Sequence, residues 1–344
     1  MNLRESISKW NIIKHTKLWF TVSLVVILVS IAAIVVNQVT VHSPLILGID
    51  FKGGTVIELY LDAAPDLAKV NSTLSELGLK NAIVQEAQGN KLFIKTTSAM
   101  ISPEDVAKIE EAISTKVAKV NERSVTSIAP VIGRELERNG AIALGLALLF
   151  VLLYITIRFQ FKFALATVLA LFHDIVITLG MLALFKVELN APFIGAILAI
   201  ITYSVEDSVV VLDRIREKLK YKGRQSFKEL VNQSITEVWV RSMNTSLTTF
   251  FSSLALVIFG GLTLRSFSMT LLFGLLAGTY SSIYIASPLL VLWHKEPHEE
   301  RESFVKVADA DKLVQEPISE TENVLEKKPI QKKTTSKKKS KKRH

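Results

Sequence analysis

The chain has 344 residues, 49% of them hydrophobic, with a mean hydropathy of +0.35, which excludes an ordinary soluble domain of this length and points to a membrane protein. It contains no cysteine, so disulfides, thiolate metal sites and cysteine nucleophiles are excluded as well. The formal net charge is +9, but much of the excess sits in the C-terminal stretch "EKKPIQKKTTSKKKSKKRH" and describes that segment rather than a binding face.

A helix that crosses a bilayer needs about 20 mostly apolar residues, because hydrocarbon offers a free backbone group no hydrogen-bond partner. The basic opening "RESISKWNIIKHTK" resembles a signal-peptide n-region. The apolar run after it is too long for a typical h-region and meets no small-residue cleavage site, so it reads as an uncleaved anchor over 18–37, preceded by a cytoplasmic segment 1–17.

Residues 38–138 are the size of a small domain with its own core. They open with "GIDFKGGT", in which Gly48, Asp50, Phe51, Gly53 and Gly54 form a turn motif passing the chain from span to domain. The turn is favoured over a phosphate loop, since the stretch lacks the Lys-Ser/Thr ending and precedes a strand instead of a helix. "GTVIELYL" predicts a strand, and "DLAKVNSTLSELGL" a helix with Leu67, Val70, Leu74 and Leu77 on one face and Gly78 as its stop. "NAIVQEAQ" and "KLFIKTTS" predict a hairpin around Gly89 and Asn90. Ser102 caps a second helix with Pro103 at its first position and Val106, Ile109, Ile113 and Val117 facing inward; "ERSVTSIA" is the last strand. The order β-α-β-β-α-β is the ferredoxin-like arrangement, which implies no function by itself.

Five further spans follow at about 140–157, 163–185, 192–212, 247–261 (with a polar lead-in) and 267–292, giving a membrane region over 139–294 with a cytoplasmic loop at about 213–243. The N-terminus, "RFQFK", "DRIREKLKYKGRQSFKELVNQ" and the tail 295–344 then share one basic face, which the positive-inside rule makes cytoplasmic. The large segment 38–138, "VELNA" and the turn near "GGLTLRSF" fall on the other, with Arg265 a minor exception. The tail reads as disordered. Its lysines suit anionic lipid at about 1 kcal/mol per charge near the surface, although a solvated tail that reinforces topology is the favoured account of them; no aromatic residue is interleaved to stack nucleic-acid bases.

Charged residues inside the spans carry the functional signal. Glu206 and Asp207 interrupt the fourth span in "AILAIITYSVEDSVVVL", and a charge at the bilayer centre costs about 2.5 to 3.5 kcal/mol on insertion scales, so an acid there is a functional candidate. Consecutive helical residues point about 100° apart, so the two cannot share a face. With Asp207 facing the bundle beside Tyr203, Ser204 and Val211, Glu206 turns toward Thr202, Val209 and Val210. Arg241 precedes the polar run Asn244, Thr245, Ser246, Thr248 and Thr249, which suggests a hydrated route; an i,i+4 pair with Glu237 would account for it without one. His173 and Asp174 lie mid-span in the third helix and suit either a proton relay or a pin between helices. Asp213, Arg214, Arg216 and Glu217 read as interfacial anchors and local pairs.

Several stretches together resemble one family. They are "GIDFKGGT", "APVIGREL", "HDIVITLGMLALF", "YSVEDSVVVLDRIRE", "RSMNTSLTT" and "FGGLTLRSFSMTLLFGLLAGTYSSIYIASPLL", spread over nearly the whole membrane part. The chain resembles the SecF family, within the SecD/SecF group of the RND superfamily of proton-driven transporters. The resemblance implies a membrane protein built as a six-helix transmembrane bundle, an RND-type half, with one extracytoplasmic ferredoxin-like α+β domain. It further implies a multi-pass subunit of the bacterial cytoplasmic (inner) membrane with both termini cytoplasmic. Its implied partners are SecD, with which it would form a twelve-helix unit, the SecYEG channel and exported unfolded polypeptide. The work would draw on the proton gradient, without nucleotide, cofactor, metal or covalent catalysis.

In the family the aspartate of the fourth-span motif and the arginine before the fifth span are linked to proton coupling, and these positions fall on Asp207 and Arg241. The sequence departs from the pattern at Thr202, where glycine is usual, and at Glu206, where asparagine is usual; the second change makes Glu206 a candidate member of the coupling group. Two alternatives stay open: an RND-type exporter subunit of other cargo, and a scaffold of the channel with no proton chemistry.

Overall fold

In the computed structural model the described residues are 11–294, apart from 81, 88, 97–100, 222 and 224. The basic tail and the first ten residues of the N-terminal segment lie outside the described residues. Among the described residues six helical stretches are long and apolar enough to cross a membrane: Ile13–Thr40, Pro130–Arg158, Phe161–Leu184, Pro192–Leu219, Phe227–Phe259 and Leu264–Trp293. The chain is a multi-pass membrane protein with a small α+β domain between its first two spans.

The first span is α1 (Thr16–Thr40), entered through a 3₁₀ turn at Ile13–His15. Its buried residues are Ser23, Ser30, Ala33 and Asn37, a stripe of small and polar side chains. Lipid supplies no hydrophobic drive between helices, so contact depends on close approach and interhelical hydrogen bonds. Both occur against the third span, α6: Asn37 donates to the Ala183 carbonyl at 2.9 Å, and a Cβ on Gly180 would lie 2.0 Å from that of Ser30. Gly180→Leu is therefore expected to part α1 from α6 and to lower the amount of folded chain recovered in mild detergent; recovery equal to that of the unaltered chain would contradict the tight crossing.

A short helix, α2 (Ile49–Lys52), leads into the domain, whose elements are β1 (Gly54–Leu61), α3 (Leu67–Glu76), β2 (Ile83–Ala87), β3 (Lys91–Thr96), α4 (Pro103–Lys116) and β4 (Val120–Ile128). The sheet order is β2-β3-β1-β4 with every neighbouring pair antiparallel, the ferredoxin-like topology expected from the element order. Its core joins Ile57, Leu59 and Leu61 of β1, Leu92 and Ile94 of β3, Val70 and Leu74 of α3, and Val106, Ile109 and Ile113 of α4. The caps also follow the sequence: Ser102 accepts from the Asp105 amide at 3.1 Å, and Asp66 from that of Ala68 at 3.0 Å. Leu67 and Leu77 do not join the core; they stand at the two ends of a helix with room for only about three turns, and both are exposed.

The glycine motif does more than turn the chain. Gly53 (φ +77°) and Gly54 (φ +142°) adopt backbone conformations closed to other residues, and α2 between them and Gly48 is docked on the loop joining the third and fourth spans. The Gly48 amide donates to the Leu189 carbonyl at 2.8 Å, the Leu189 amide to that of Ile46 at 2.7 Å, and the Ala191 amide to Asp50 Oδ2 at 2.6 Å. Lys95 of β3 and Glu188 of the same loop form a mostly buried ion pair at 2.7 Å. Gly133 lets the following helix pass the Phe51 backbone, since a Cβ there would sit 2.1 Å from the Phe51 carbonyl oxygen. The domain is thus held to the membrane half at its base.

The remaining helices are α5 (Pro130–Arg158), α6 (Phe161–Leu184), α7 (Pro192–Leu219), α8 (Phe227–Phe259), α9 (Gly261–Ser281) and α10 (Ser287–Trp293), the last two joined without a break by a π turn at Ser282–Ala286. The expected loop at about 213–243 is corrected here: α7 runs on to Leu219, and α8 starts at Phe227 behind a capping box of Ser226 and Glu229. Hydropathy marks where an apolar run stops, whereas these helices continue as charged, paired segments. The fifth span is accordingly one helix with its polar lead-in.

Candidate functional site

Asp207 sits on α7, sixteen positions into a helix of 28 residues, with Ser204 and Ser208 buried on the same side. At 1.5 Å per residue it lies about 22 Å from the start of α7 and about 18 Å from its end. Its Oδ2 accepts a hydrogen bond from Ser282, at the head of the π turn. The carboxyl opens on a cavity of about 50 Å³ between α7, α8 and α9, lined also by Arg241, Ser242, Thr245 and Thr279. That is room for a few waters, each needing about 15 Å³. Ser242 is buried there and faces the Asp207 carboxyl from α8, as Ser282 does from the π turn.

A second and larger cleft, about 880 Å³, is bounded by Tyr154 and Arg158 of α5, Asp213, Arg214 and Glu217 of α7, and Glu237 of α8. It shares two lining residues with the first cavity, Val210 and Arg241. Arg241 therefore stands where a charged vestibule meets the space around Asp207. Apart from Arg241, the vestibule's charges pair with one another: Arg214 with Glu217 at 2.6 Å and with Glu237 at 2.5 Å, Lys218 with Glu237 at 2.6 Å, and Arg158 lies 3.9 Å from Asp213.

These contacts correct the alternative reading of Arg241. Glu237 turns to α7, so it is not the helical partner of Arg241, which makes no ion pair among the described residues. Arg241 and Glu206 are both exposed on the surface of this chain, and both border the cavity. Tyr203 borders the same cavity as Asp207, one turn before it on α7, and is also 38% exposed, whereas Ser204 and Ser208 are buried. In the run after Arg241, Thr245, Ser246 and Thr249 line the cavity. Thr245, Thr248, Thr249 and Ser252 each donate to the carbonyl four residues back, at 2.8 to 3.2 Å, which satisfies a hydroxyl inside an apolar helix without water. Asn244 is exposed on the same helix.

His173 and Asp174 are buried one helix away, on α6. Asp174 Oδ1 lies 3.0 Å from His173 Nδ1, and its Oδ2 accepts from Ser204 at 2.7 Å and Ser281 at 2.8 Å; His173 Nε2 lies 2.5 Å from Ser23 of α1. Sequence reasoning missed Ser281, Ser282 and Ser242. Hydroxyls in apolar spans were their only signal, and many such hydroxyls merely bond their own helix.

The chain matches the family model described as protein export membrane protein SecD/SecF, C-terminal, over residues 108–296, and the SecD/SecF GG motif over 39–63. It is 38% identical over 276 residues to the protein translocase subunit SecF of Sebaldella termitidis, covering 78% of this chain and 89% of that protein. With the SecF subunit of Rickettsia felis it shares 40% identity over 251 residues, covering 72% and 81%. Among solved structures it resembles SecDF, a translocon-associated membrane protein from Thermus thermophilus, with a TM-score of 0.73 and 32% identity over 85% of this chain. SecDF in its super-membrane-facing form matches with a TM-score of 0.59 and 31% identity. The chain spans about two fifths of each SecDF chain, 39% and 40%.

Proposed function

We propose, from the premise that this chain belongs to the SecD/SecF family of protein-export membrane proteins, that it is a SecF-type subunit which pairs with SecD beside the SecYEG channel and draws exported polypeptide across the bacterial cytoplasmic membrane using the proton gradient. One observation carries the coupling part. A carboxyl in mid-span, Asp207, faces a water-sized cavity whose other wall holds Arg241, which makes no ion pair among the described residues. Desolvation favours the neutral acid and an approaching guanidinium the charged one, so a helix shift that moves Arg241 would exchange a proton at Asp207. Glu206 borders the same cavity and adds a second negative group to it.

The outward faces of Tyr203, Glu206, Arg241 and Asn244 form a polar strip that lipid would not tolerate, and SecD is the cover we assign to it. The basic segments are placed on the cytoplasmic side, which sets the ferredoxin-like domain outside, where it meets the emerging polypeptide. The reading is tested by depleting the chain from its host and measuring release of a secreted protein from spheroplasts, with and without an uncoupler. Depletion should slow release and remove its response to the uncoupler, and SecD should co-purify with the restored chain. Unchanged release after depletion, or no SecD in the purified material, would count against it.

The vestibule is tested separately, and the cysteine-free sequence makes this direct. In the complex with SecD, in inverted vesicles, single Thr236→Cys and Val210→Cys variants are expected to react with a charged, impermeant thiol reagent, the second more slowly. Leu153→Cys, on the outward face of α5, should not react. A Val210→Cys chain that never reacts would mean that the cleft is closed below Arg241.

A further inference from the structure

We infer that Asp174 is a positioning residue for Asp207: it holds α7 and the π turn after α9 in the one register that lets Ser282 reach the Asp207 carboxylate. The inference rests on the proposed role of Asp207 only for its consequence in export, and its geometry stands by itself.

Asp174 is fully buried, and hydroxyls from two other helices converge on its Oδ2, Ser204 from α7 and Ser281 from α9. Each of these serines is next to a part of the Asp207 site. Ser204 lies three residues, nearly one turn, before Asp207 on α7, and Ser281 directly precedes Ser282, the donor to Asp207. One carboxylate thereby grips both the helix that carries Asp207 and the segment that carries its hydrogen-bond donor. The other oxygen is held by His173, whose far nitrogen meets Ser23, so the anchor extends to α1. A serine hydroxyl can rotate to donate or accept, so this link survives either protonation state of the ring.

The local backbone fits the same reading. π turns are rare, and they occur often at functional sites, because the extra residue in the turn resets which side chains face a neighbour. Here the turn begins at Ser282, and the Ser287 hydroxyl donates to the Ser282 carbonyl at 3.1 Å, tying the two ends of the turn together. Gly278, one turn earlier, keeps α9 close: a Cβ there would lie 3.1 Å from that of Ser204 and 3.6 Å from Asp174 Oδ2. The titratable groups around Asp174 are His173 on its own helix and Tyr280 of α9, whose ring stacks on His173 at 6.2 Å; α1 and α7 present Ser23 and Ser204.

A pin between helices would support stability but leave Asp207 titrating as before, and this separates the two roles. The test uses the full chain in membranes with SecD, in a Glu206→Gln background, so that Asp207 is the acid labelled at that site. The rate of carbodiimide labelling at Asp207, followed by mass spectrometry across pH, reads its protonation directly. Ser281→Ala touches Asp174 and leaves Ser282 in place. It is expected to move the labelling midpoint in the same direction as Ser282→Ala, by about half a pH unit or more. Asp174→Asn should do likewise. Ser253→Ala, buried on α8 outside the network, should not.

If Ser281→Ala and Asp174→Asn leave the midpoint where it was, the positioning role is overturned, whatever they do to abundance. If Asp174→Asn does not accumulate, Ser281→Ala alone decides. If the midpoint moves while Asp207→Asn leaves gradient-driven release intact, the positioning inference holds and the proposed coupling role of Asp207 fails.

Discussion

Asp207→Asn is expected to remove the gradient-dependent part of polypeptide release while the chain reaches the membrane in normal amount. Asparagine keeps the size of the side chain and an oxygen to accept from Ser282, so packing between α7 and the π turn is retained. What it loses is the proton. One charge moved through 100 mV is worth about 2.3 kcal/mol, a bias of roughly 50-fold on a two-state equilibrium, and that bias is what the substitution should delete. Release from spheroplasts with and without uncoupler measures it; a variant that still responds to uncoupler as the unaltered chain does would rule Asp207 out as the coupling acid. Glu206→Gln should have the smaller effect. Glu206 is exposed on this chain and makes no hydrogen bond among the described residues, so its loss changes the charge at the cavity without breaking a contact.

The second large effect is structural and lies far from the spans' centre. Gly54→Ala places a methyl 2.2 Å from the Thr96 carbonyl oxygen at a φ of +142°, so the backbone of β1 or β3 must move. The strained conformation alone costs about 1 to 3 kcal/mol, and the clash with a carbonyl in the sheet adds to it. Because β1 is the central strand beside both β3 and β4, and α2 is docked on the loop before α7, the domain should lose its seat on the membrane half. Limited proteolysis is the measure: cleavage within 54–128 should become fast in Gly54→Ala. Gly78→Ala is the control. It shares a positive φ, +82°, but nothing lies within 4 Å of its new methyl, so only the backbone term, about 1 kcal/mol, remains. Equal protease resistance for Gly54→Ala and the unaltered chain would show that the turn tolerates a side chain after all.

Much of the molecule could be read before folding, and the exceptions share a cause. The spans were visible because a hydrocarbon slab imposes its own length on every crossing, and the domain because strand and helix periods alternate cleanly through 54–128. Where α7 ends and α8 begins was not visible, since the charges of "DRIREK" look like a loop until Arg214 and Lys218 are seen to pair with Glu237 on the neighbouring helix. The inward face of α7 was half legible. Tyr203 and Ser204 stand with Asp207 as expected, whereas Glu206 borders the same cavity instead of turning away from it, because a helix repeat of 3.6 leaves each residue's facing to be decided by its neighbours.

The sequence by itself determined the number of spans, the ferredoxin-like order of the domain, and the presence of acids where lipid penalises charge. Each follows from rules that act locally along the chain: apolar length, side-chain period, and the cost of an ion in hydrocarbon. Tertiary structure alone decided what those acids touch. Ser281 and Ser282 meet Asp174 and Asp207 across distances in the chain of 107 and 75 residues, and Glu237 leaves Arg241 for Arg214. Such pairings depend on how helices cross and which register they take, and no local pattern of residue types encodes that geometry.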